Sequence, residues 1–242
     1  MNCEKLKRGA DRILALIYPE RCVFCDLTIG PSDGGICPGC RKSVEENTGP
    51  VCFKCGRRLK DEREELCDSC RKIRHAFDTG ASVYPYSEKV VKSLYRLKYE
   101  NRRRYALFYG HAMAHRHRDT VKKWGVDVIM PVPLHEKRLR SRGYNQAALS
   151  ARVLGRELGI EVEEKALTRV KNTAALKLLD PAKRRDNLKN AFKISGYEVK
   201  LKSVLLVDDI YTTGSTVDEI SKVLKAAGAQ RVYFLTAAAG SD

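Results

Sequence analysis

The chain has 242 residues, 43% of them hydrophobic, with 46 basic against 30 acidic side chains and a formal net charge of +16. That apolar share supports an ordinary packed core and excludes global disorder. The length suits one body with a small appendage or two small domains, and no apolar run approaches the roughly 18 to 20 residues of a membrane-spanning helix.

Leu6, Ala10, Ile13, Leu14 and Ile17 recur at helical spacing, which predicts a short amphipathic helix within residues 1–20. The apolar run "ILALIY" (13–18) has charges on both sides and no small-residue cleavage site after it, so it does not read as a signal peptide. A cytoplasmic chain is expected.

Residues 21–75 carry eight of the nine cysteines as four CxxC pairs: Cys22/Cys25, Cys37/Cys40, Cys52/Cys55 and Cys67/Cys70. Eleven residues separate each pair from the next. One CxxC knuckle turns two thiolates inward, and a second completes a tetrahedron, so eight sulfurs suit two structural zinc ions. The intervening "GPSDGG" (30–35) and "NTGP" (47–50) are too small and polar to bury a core, so metal would supply the folding energy. A disulfide framework is the rival, disfavoured without a secretory signal. A single redox CxxC would not need three copies beside it. Sequential pairing, giving two ribbon-like sites, is favoured because eleven-residue connections suit hairpins. A cross-braced pairing stays open. Closed four-sulfur sites leave no open coordination position and are structural. Cys3 receives no role.

From residue 76 the pattern changes. "ASVYPY" (81–86) reads as a strand, and Val90, Leu94, Leu97, Tyr105, Phe108 and Ala112 fall near helical spacing. Residues 89–143 hold 15 basic and 4 acidic side chains, net +11, a field that favours phosphates, nucleic acid or a membrane surface. The stretch "KSLYRLKYENRRRYALFYGHAMAHRHR" (92–118) mixes bases with aromatics, a mixture that can serve single-stranded DNA through phosphate pairing and base stacking, with Arg102, Arg103, Arg104 and Arg116 as candidates. Tyr95, Tyr99, Tyr105 and Phe108 also suit a helix packing face, and that is the favoured reading for these rings. His111, His115 and Asp119 share a helix face but read as surface, since their surroundings are cationic.

"VDVIMPV" (126–132) is a strand, and "QAALSARVLGREL" (146–158) a helix ended by Gly159. "SVLLV" (203–207), the helix "TVDEISKVLKAAG" (216–228) and "RVYFLTA" (231–237) complete an alternation that predicts an α/β structure with a mostly parallel sheet flanked by helices. In such sheets ligands sit at the carboxyl ends of strands. Asp208 and Asp209 are placed there, just past the strand, before the turn "YTTGST". Unpaired amides at the following helix start, Gly214 and the hydroxyls of Thr212, Thr213, Ser215 and Thr216 make a phosphate cradle. Two carboxylates beside it would accept hydrogen bonds from a sugar diol, so a ribose 5-phosphate fits. A Walker A loop would need a lysine and a dinucleotide fingerprint three spaced glycines, and neither is present.

Acidic pair plus "TTGST" resembles the 5-phosphoribosyl 1-pyrophosphate (PRPP) motif of type I phosphoribosyltransferases. With the cysteine ribbons, "PVPLHEKRLRSRGYNQA" (131–147) and "RRDNLKNAF" (184–192), the chain resembles the ComF/ComFC family, linked to competence and DNA uptake. The resemblance implies a type I phosphoribosyltransferase-like domain over 76–242 behind a double zinc ribbon over 21–75. Asp208 and Asp209 would hold the ribose, acting in catalysis, and Thr212 to Thr216 the 5-phosphate. Arg138, Arg142 and Asn145 would lie near pyrophosphate, and Lys183, Arg184 and Arg185 on a mobile loop over it. The reaction implied is displacement of Mg²⁺-pyrophosphate from PRPP toward an unnamed acceptor. The alternative is a non-catalytic, single-stranded-DNA-binding competence accessory that keeps the fold for sensing or architecture. A helicase-like competence partner follows from the resemblance too. After Thr173 the family has proline and glutamine where this chain has Ala174 and Ala175, a departure on the mobile loop.

Overall fold

The computed structural model describes residues 19–172 and 188–240. Most of the predicted N-terminal helix, Cys3, and the mobile-loop candidates Lys183, Arg184 and Arg185 lie outside these residues. In chain order the described elements are α1 (Pro38–Ser43), α2 (Asp68–Lys72), β1 (Thr79–Pro85), α3 (Glu88–Tyr99), α4 (Arg104–Lys123), β2 (Val128–Pro131), α5 (Glu136–Arg142), α6 (Gln146–Leu158), β3 (Glu161–Val162), β4 (Leu167–Arg169), β5 (Phe192–Ile194), β6 (Ser203–Tyr211), α7 (Ser215–Ala226) and β7 (Arg231–Ala239).

Five strands form one parallel sheet in the order β1-β7-β6-β2-β3. The short β4 and β5 pair antiparallel as a separate hairpin. Central strands buried on both faces need apolar residues at every position, and β6 supplies "VLLV" for this. Alternation sends Leu205 and Val207 to one face and Val204 and Leu206 to the other. The first face packs under α4 and α6, with Met113, Ala151 and Leu154 against it. The second packs under α7 through Val217, Ile220 and Leu224. Helix α6 runs over the expected residues: the Asn145 side chain caps its start, and Gly159 ends it at φ 69°.

The helical stretch after β1 is two helices. The chain turns at Glu100–Arg103, where Asn101 takes φ 54°. Because of that break, Tyr95 and Tyr99 do not join the packing face. They are 52% and 61% exposed, whereas Tyr105 is 4% exposed and Phe108 packs against Phe24.

The two ribbons clasp the edge strand β1, one on each face of the sheet. Phe24 of the first ribbon is 1% exposed and meets Tyr84 and Phe108 edge-on. Burying such a ring contributes about 1.5–3 kcal/mol. Cys52, Cys55, Cys67 and Cys70 of the second ribbon join the opposite core beside Phe77, Tyr211 and Phe234. Asn47 donates its backbone N–H to Val83 O (2.8 Å), and Gly80 donates to Lys54 O (3.0 Å), so the open edge of the sheet is covered.

Among the described residues no helix is long and apolar enough to cross a membrane.

Candidate functional site

Strand β6 is longer than its apolar run. It continues through both acids to Tyr211, because β7 runs on to Ala239 and the ladder pairs Asp208 with Thr236, Ile210 with Ala238 and Tyr211 with Ala239. Asp208 and Asp209 therefore lie within the strand, not beyond it. Neighbours on a strand point to opposite faces, and the two carboxylates have different surroundings.

Asp209 is 7% exposed. Its Oδ2 is 2.6 Å from Lys98 Nζ of α3 and accepts from Gln146 Nε2 of α6 at 3.2 Å. Gln146 Oε1 in turn accepts from Arg142 of α5. Burial alone would lower the Lys98 pKa, but the charge and hydrogen bond of Asp209 outweigh it and raise it. Asp208 is half-buried and lines a cavity of about 50 Å³ with Ile210 and residues 211–217. That is several times the ~10–15 Å³ a water needs. Burial, then the charge of Asp209, pushes the Asp208 carboxyl up to about 8, and Lys98 opposes them.

The turn that closes this cavity is the predicted phosphate cradle. Gly214 takes φ 75°, and its carbonyl accepts the Asp218 N–H at 2.8 Å as α7 begins. A Cβ on Gly214 would come within 2.6 Å of the Tyr211 hydroxyl, so the loop tolerates only glycine in this shape. Thr213 and Ser215 share a hydroxyl hydrogen bond of 2.9 Å, and Thr212 and Thr216 complete the lining. A larger cavity of about 570 Å³ adjoins the same end of the sheet. Ala239, Gly240 and Tyr86 form one side and Pro50, Arg58 and Lys60 of the second ribbon the other.

The loop after β2 lies next to the acids in the sheet order. Val132 N–H donates to Val207 O at 2.8 Å. Arg138 sits on α5, where its charge is felt by Arg169, which is in turn drawn by Asp208. Arg142 lies over the Tyr99 ring, 5.6 Å from its centroid. Asn145 caps α6 and donates to Val132 O at 3.0 Å, a role in shaping this loop.

Of the nucleic-acid candidates, Arg102 pairs with Asp26 at 2.9 Å, and Arg116 donates to Asn47 O at 2.8 Å. Arg102 holds the first ribbon, and Arg116 the segment that joins the two ribbons. Arg103 lies over Tyr144, and Arg104 is at the surface with Glu20 at 3.9 Å. His111 bonds Glu157 at the surface, in keeping with the surface reading.

Cys22, Cys25, Cys37 and Cys40 form one cluster and Cys52, Cys55, Cys67 and Cys70 another, with all ligand atoms in each within 4.8 Å. The pairing is sequential. Cys25 and Cys37 sulfurs are 3.7 Å apart, as are those of Cys55 and Cys67. Four thiolates at about 2.3 Å from one zinc ion stand about 3.8 Å apart, whereas a disulfide needs about 2.05 Å. The residues fit zinc.

Lys98, Gln146, Arg169 and Arg57 were not marked by sequence. Lys98 had a usable signal: it follows Leu94 by four and Leu97 by one, so it is a charge beside an apolar helix face. Arg57, whose Nη2 donates to Thr212 O, had none, because the two are 155 residues apart.

Residues 13–71 match the model of the double zinc ribbon domain, and residues 110–242 match that of the phosphoribosyl transferase domain. Competence protein F of Haemophilus influenzae is 34% identical over 218 residues, spanning 88% of this chain and 93% of its own. DNA utilization protein YhgH of Escherichia coli (strain K12) is 30% identical over 90% of this chain and 96% of its own. A crystal structure of a hypoxanthine phosphoribosyltransferase from Staphylococcus aureus aligns over 53% of this chain and 61% of that one, at 14% identity and a TM-score of 0.35.

Proposed function

The chain belongs to the ComF/ComFC family, which joins an N-terminal double zinc ribbon to a C-terminal phosphoribosyltransferase domain, and from that membership we propose that it binds PRPP at the carboxyl end of β6 and acts in the handling of incoming DNA. The observation that carries the reading is the shared cavity of Asp208 and residues 211–217. The 5-phosphate rests in the Thr212–Thr216 turn, against the positive start of α7. Asp208 accepts from a ribose hydroxyl. Asp209, already neutralised by Lys98, holds Gln146 and through it Arg142, and so orders the floor beneath the sugar.

Arg138 and Arg169 flank the side from which pyrophosphate leaves. In transfer, the C1–O bond to pyrophosphate breaks, the acceptor's lone pair forms the new bond at C1, and the cations offset the charge gathering on the leaving group. Once its proton is released, the half-buried Asp208 carboxyl facing the phosphate site would match how Mg²⁺ is held, by one or two carboxylates with substrate phosphates, and the ion would neutralise the leaving group.

Calorimetry tests the reading. PRPP with Mg²⁺ is expected to bind with a Kd on the order of micromolar, and Asp208→Asn to lose that binding. No heat from PRPP at millimolar concentration overturns it. Pyrophosphate release across nucleobase, amine and nucleotide acceptors tests transfer separately.

A second reading, single-stranded DNA binding, is favoured by one observation. Tyr95 and Tyr99 are exposed one turn apart, with ring centroids at 4.8 Å, and Arg142 covers Tyr99. Exposed rings among cations are what unpaired bases stack on. The two readings are compatible.

A further inference from the structure

The second ribbon reaches the phosphate loop through the Arg57 side chain. The Gly56 N–H donates to Cys52 O, and the Cys52 N–H to Arg57 O, both at 2.8 Å, so residues 52–57 form one tight loop around two of the four thiolates. This loop lies flat on β1. Thr79 Oγ1 donates to Phe53 O at 2.6 Å and Ser82 Oγ to Gly56 O at 3.2 Å. Gly56 takes φ +66°, and a Cβ on it would fall within 2.5 Å of Ala81 Cα, so the contact leaves no freedom to shift.

Arg57 is 5% exposed, and its Nη2 donates to the carbonyl of Thr212, the first residue of the cradle. Its guanidinium lies 5.7 Å from the centroid of the Tyr211 ring. Tyr211 is the floor of the cradle. It stacks on Phe234 at 4.7 Å, and Phe77 meets its edge at 6.1 Å. The first ribbon offers no such arm among the described residues. Its Asp26, Phe24 and Cys22 face Arg102, Phe108 and Tyr105 on the other side of the sheet.

We propose that Arg57 is a positioning residue of the phosphate loop, which makes the second ribbon an integral part of the phosphoribosyl site and the first ribbon not. Ligation at Cys52, Cys55, Cys67 and Cys70 fixes the Arg57 backbone, and Arg57 fixes Thr212. The cradle is then ordered before a phosphate arrives, so binding does not bear the entropy of ordering its backbone. The guanidinium also places a buried positive charge behind the anion. The proposal rests on the PRPP reading for its ligand, though not for its geometry.

The test compares wild type with Arg57→Met, which keeps the apolar stem on Tyr211 and removes the donor, and with Arg57→Lys, which restores a donor. Three quantities are read: zinc per chain, amide hydrogen exchange of residues 212–216 without ligand, and PRPP affinity. Arg57→Met is expected to hold two zinc ions, to exchange faster at 212–216, and to bind PRPP at least tenfold more weakly. Arg57→Lys is expected to fall between the two. Should Arg57→Met lose metal, Arg57→Lys carries the test on the same readouts. A variant with two zinc ions, wild-type exchange and wild-type affinity overturns the proposal. Failure of the wild type to bind PRPP sinks the ligand reading instead, while the ligand-free exchange still judges Arg57.

Discussion

Lys98 Nζ lies 2.6 Å from Asp209 Oδ2, and the two side chains are 22% and 7% exposed. An ion pair this sheltered stabilises little compared with apolar residues of the same volume, but removal of one partner strands the other. Lys98→Met is therefore expected to destabilise the chain by about 3 kcal/mol, read as a lower urea midpoint at unchanged slope. Lys98→Met with Asp209→Leu is expected to recover much of that loss without recovering PRPP binding. A Lys98→Met midpoint equal to wild type would mean that Asp209 is solvated or neutral.

Asp208 feels the charges of Asp209, Lys98 and Arg169, and its carboxyl is pushed up to about 8 by burial and by Asp209, against about 3.9 in an unfolded chain. Between those values the folded chain binds the proton that the unfolded chain releases. The stability from this group is thus fully present below about pH 4 and is lost as pH rises through about 8. Melting of the ligand-free chain at pH 6.5 and pH 9 is expected to show a drop that is smaller in Asp208→Asn. Equal drops in the two proteins sink the assignment.

The sheet was legible because its strands and helices differ in period. "VLLV" is too short and too apolar for a surface helix, and the 146–158 helix carries its own cap at Asn145 and stop at Gly159. The cysteine clusters were legible from spacing alone. The acids were only partly so. Their residue type announced a site, but a run of apolar residues marks where a strand is buried, not where it ends, and β6 runs four residues further, to Tyr211. That extension turns Asp208 and Asp209 to different faces. Lys98 shows locally only as a charge beside an apolar helix face; that it meets Asp209, and that Arg57 meets Thr212, are tertiary contacts that no local pattern encodes.

Both cysteine clusters belong to the two cores of the body, so metal removal is expected to unfold more than the ribbons. The single tryptophan, Trp124, stacks on Tyr233 of β7 with centroids 4.8 Å apart and reports on the body. With a strong chelator, tryptophan fluorescence and far-ultraviolet circular dichroism are expected to shift together, at a melting temperature below that of the metal-loaded chain. Two zinc ions per chain should be released. An unchanged tryptophan transition after full zinc loss would make the ribbons independent of the body.

Tyr95 and Tyr99 separate stacking from charge in the second functional reading. Each base stacked on an aromatic ring contributes about 1–3 kcal/mol, so Tyr95→Ala with Tyr99→Ala is expected to weaken single-stranded DNA binding at least tenfold. Neither ring carries charge, so the slope of log affinity against log salt should stay as in wild type. Arg142→Gln has a different signature. Loss of one phosphate contact is expected to lower the slope by about 0.7 and to weaken all sequences alike. Arg142 is tied to the Asp209 network through Gln146 and lies over Tyr99, so PRPP affinity must be measured in the same variants. Loss of DNA binding with PRPP affinity intact in the tyrosine pair places the strand on this face of α3. Wild-type DNA affinity in that pair removes the face from consideration and leaves the basic charge without a stacking site.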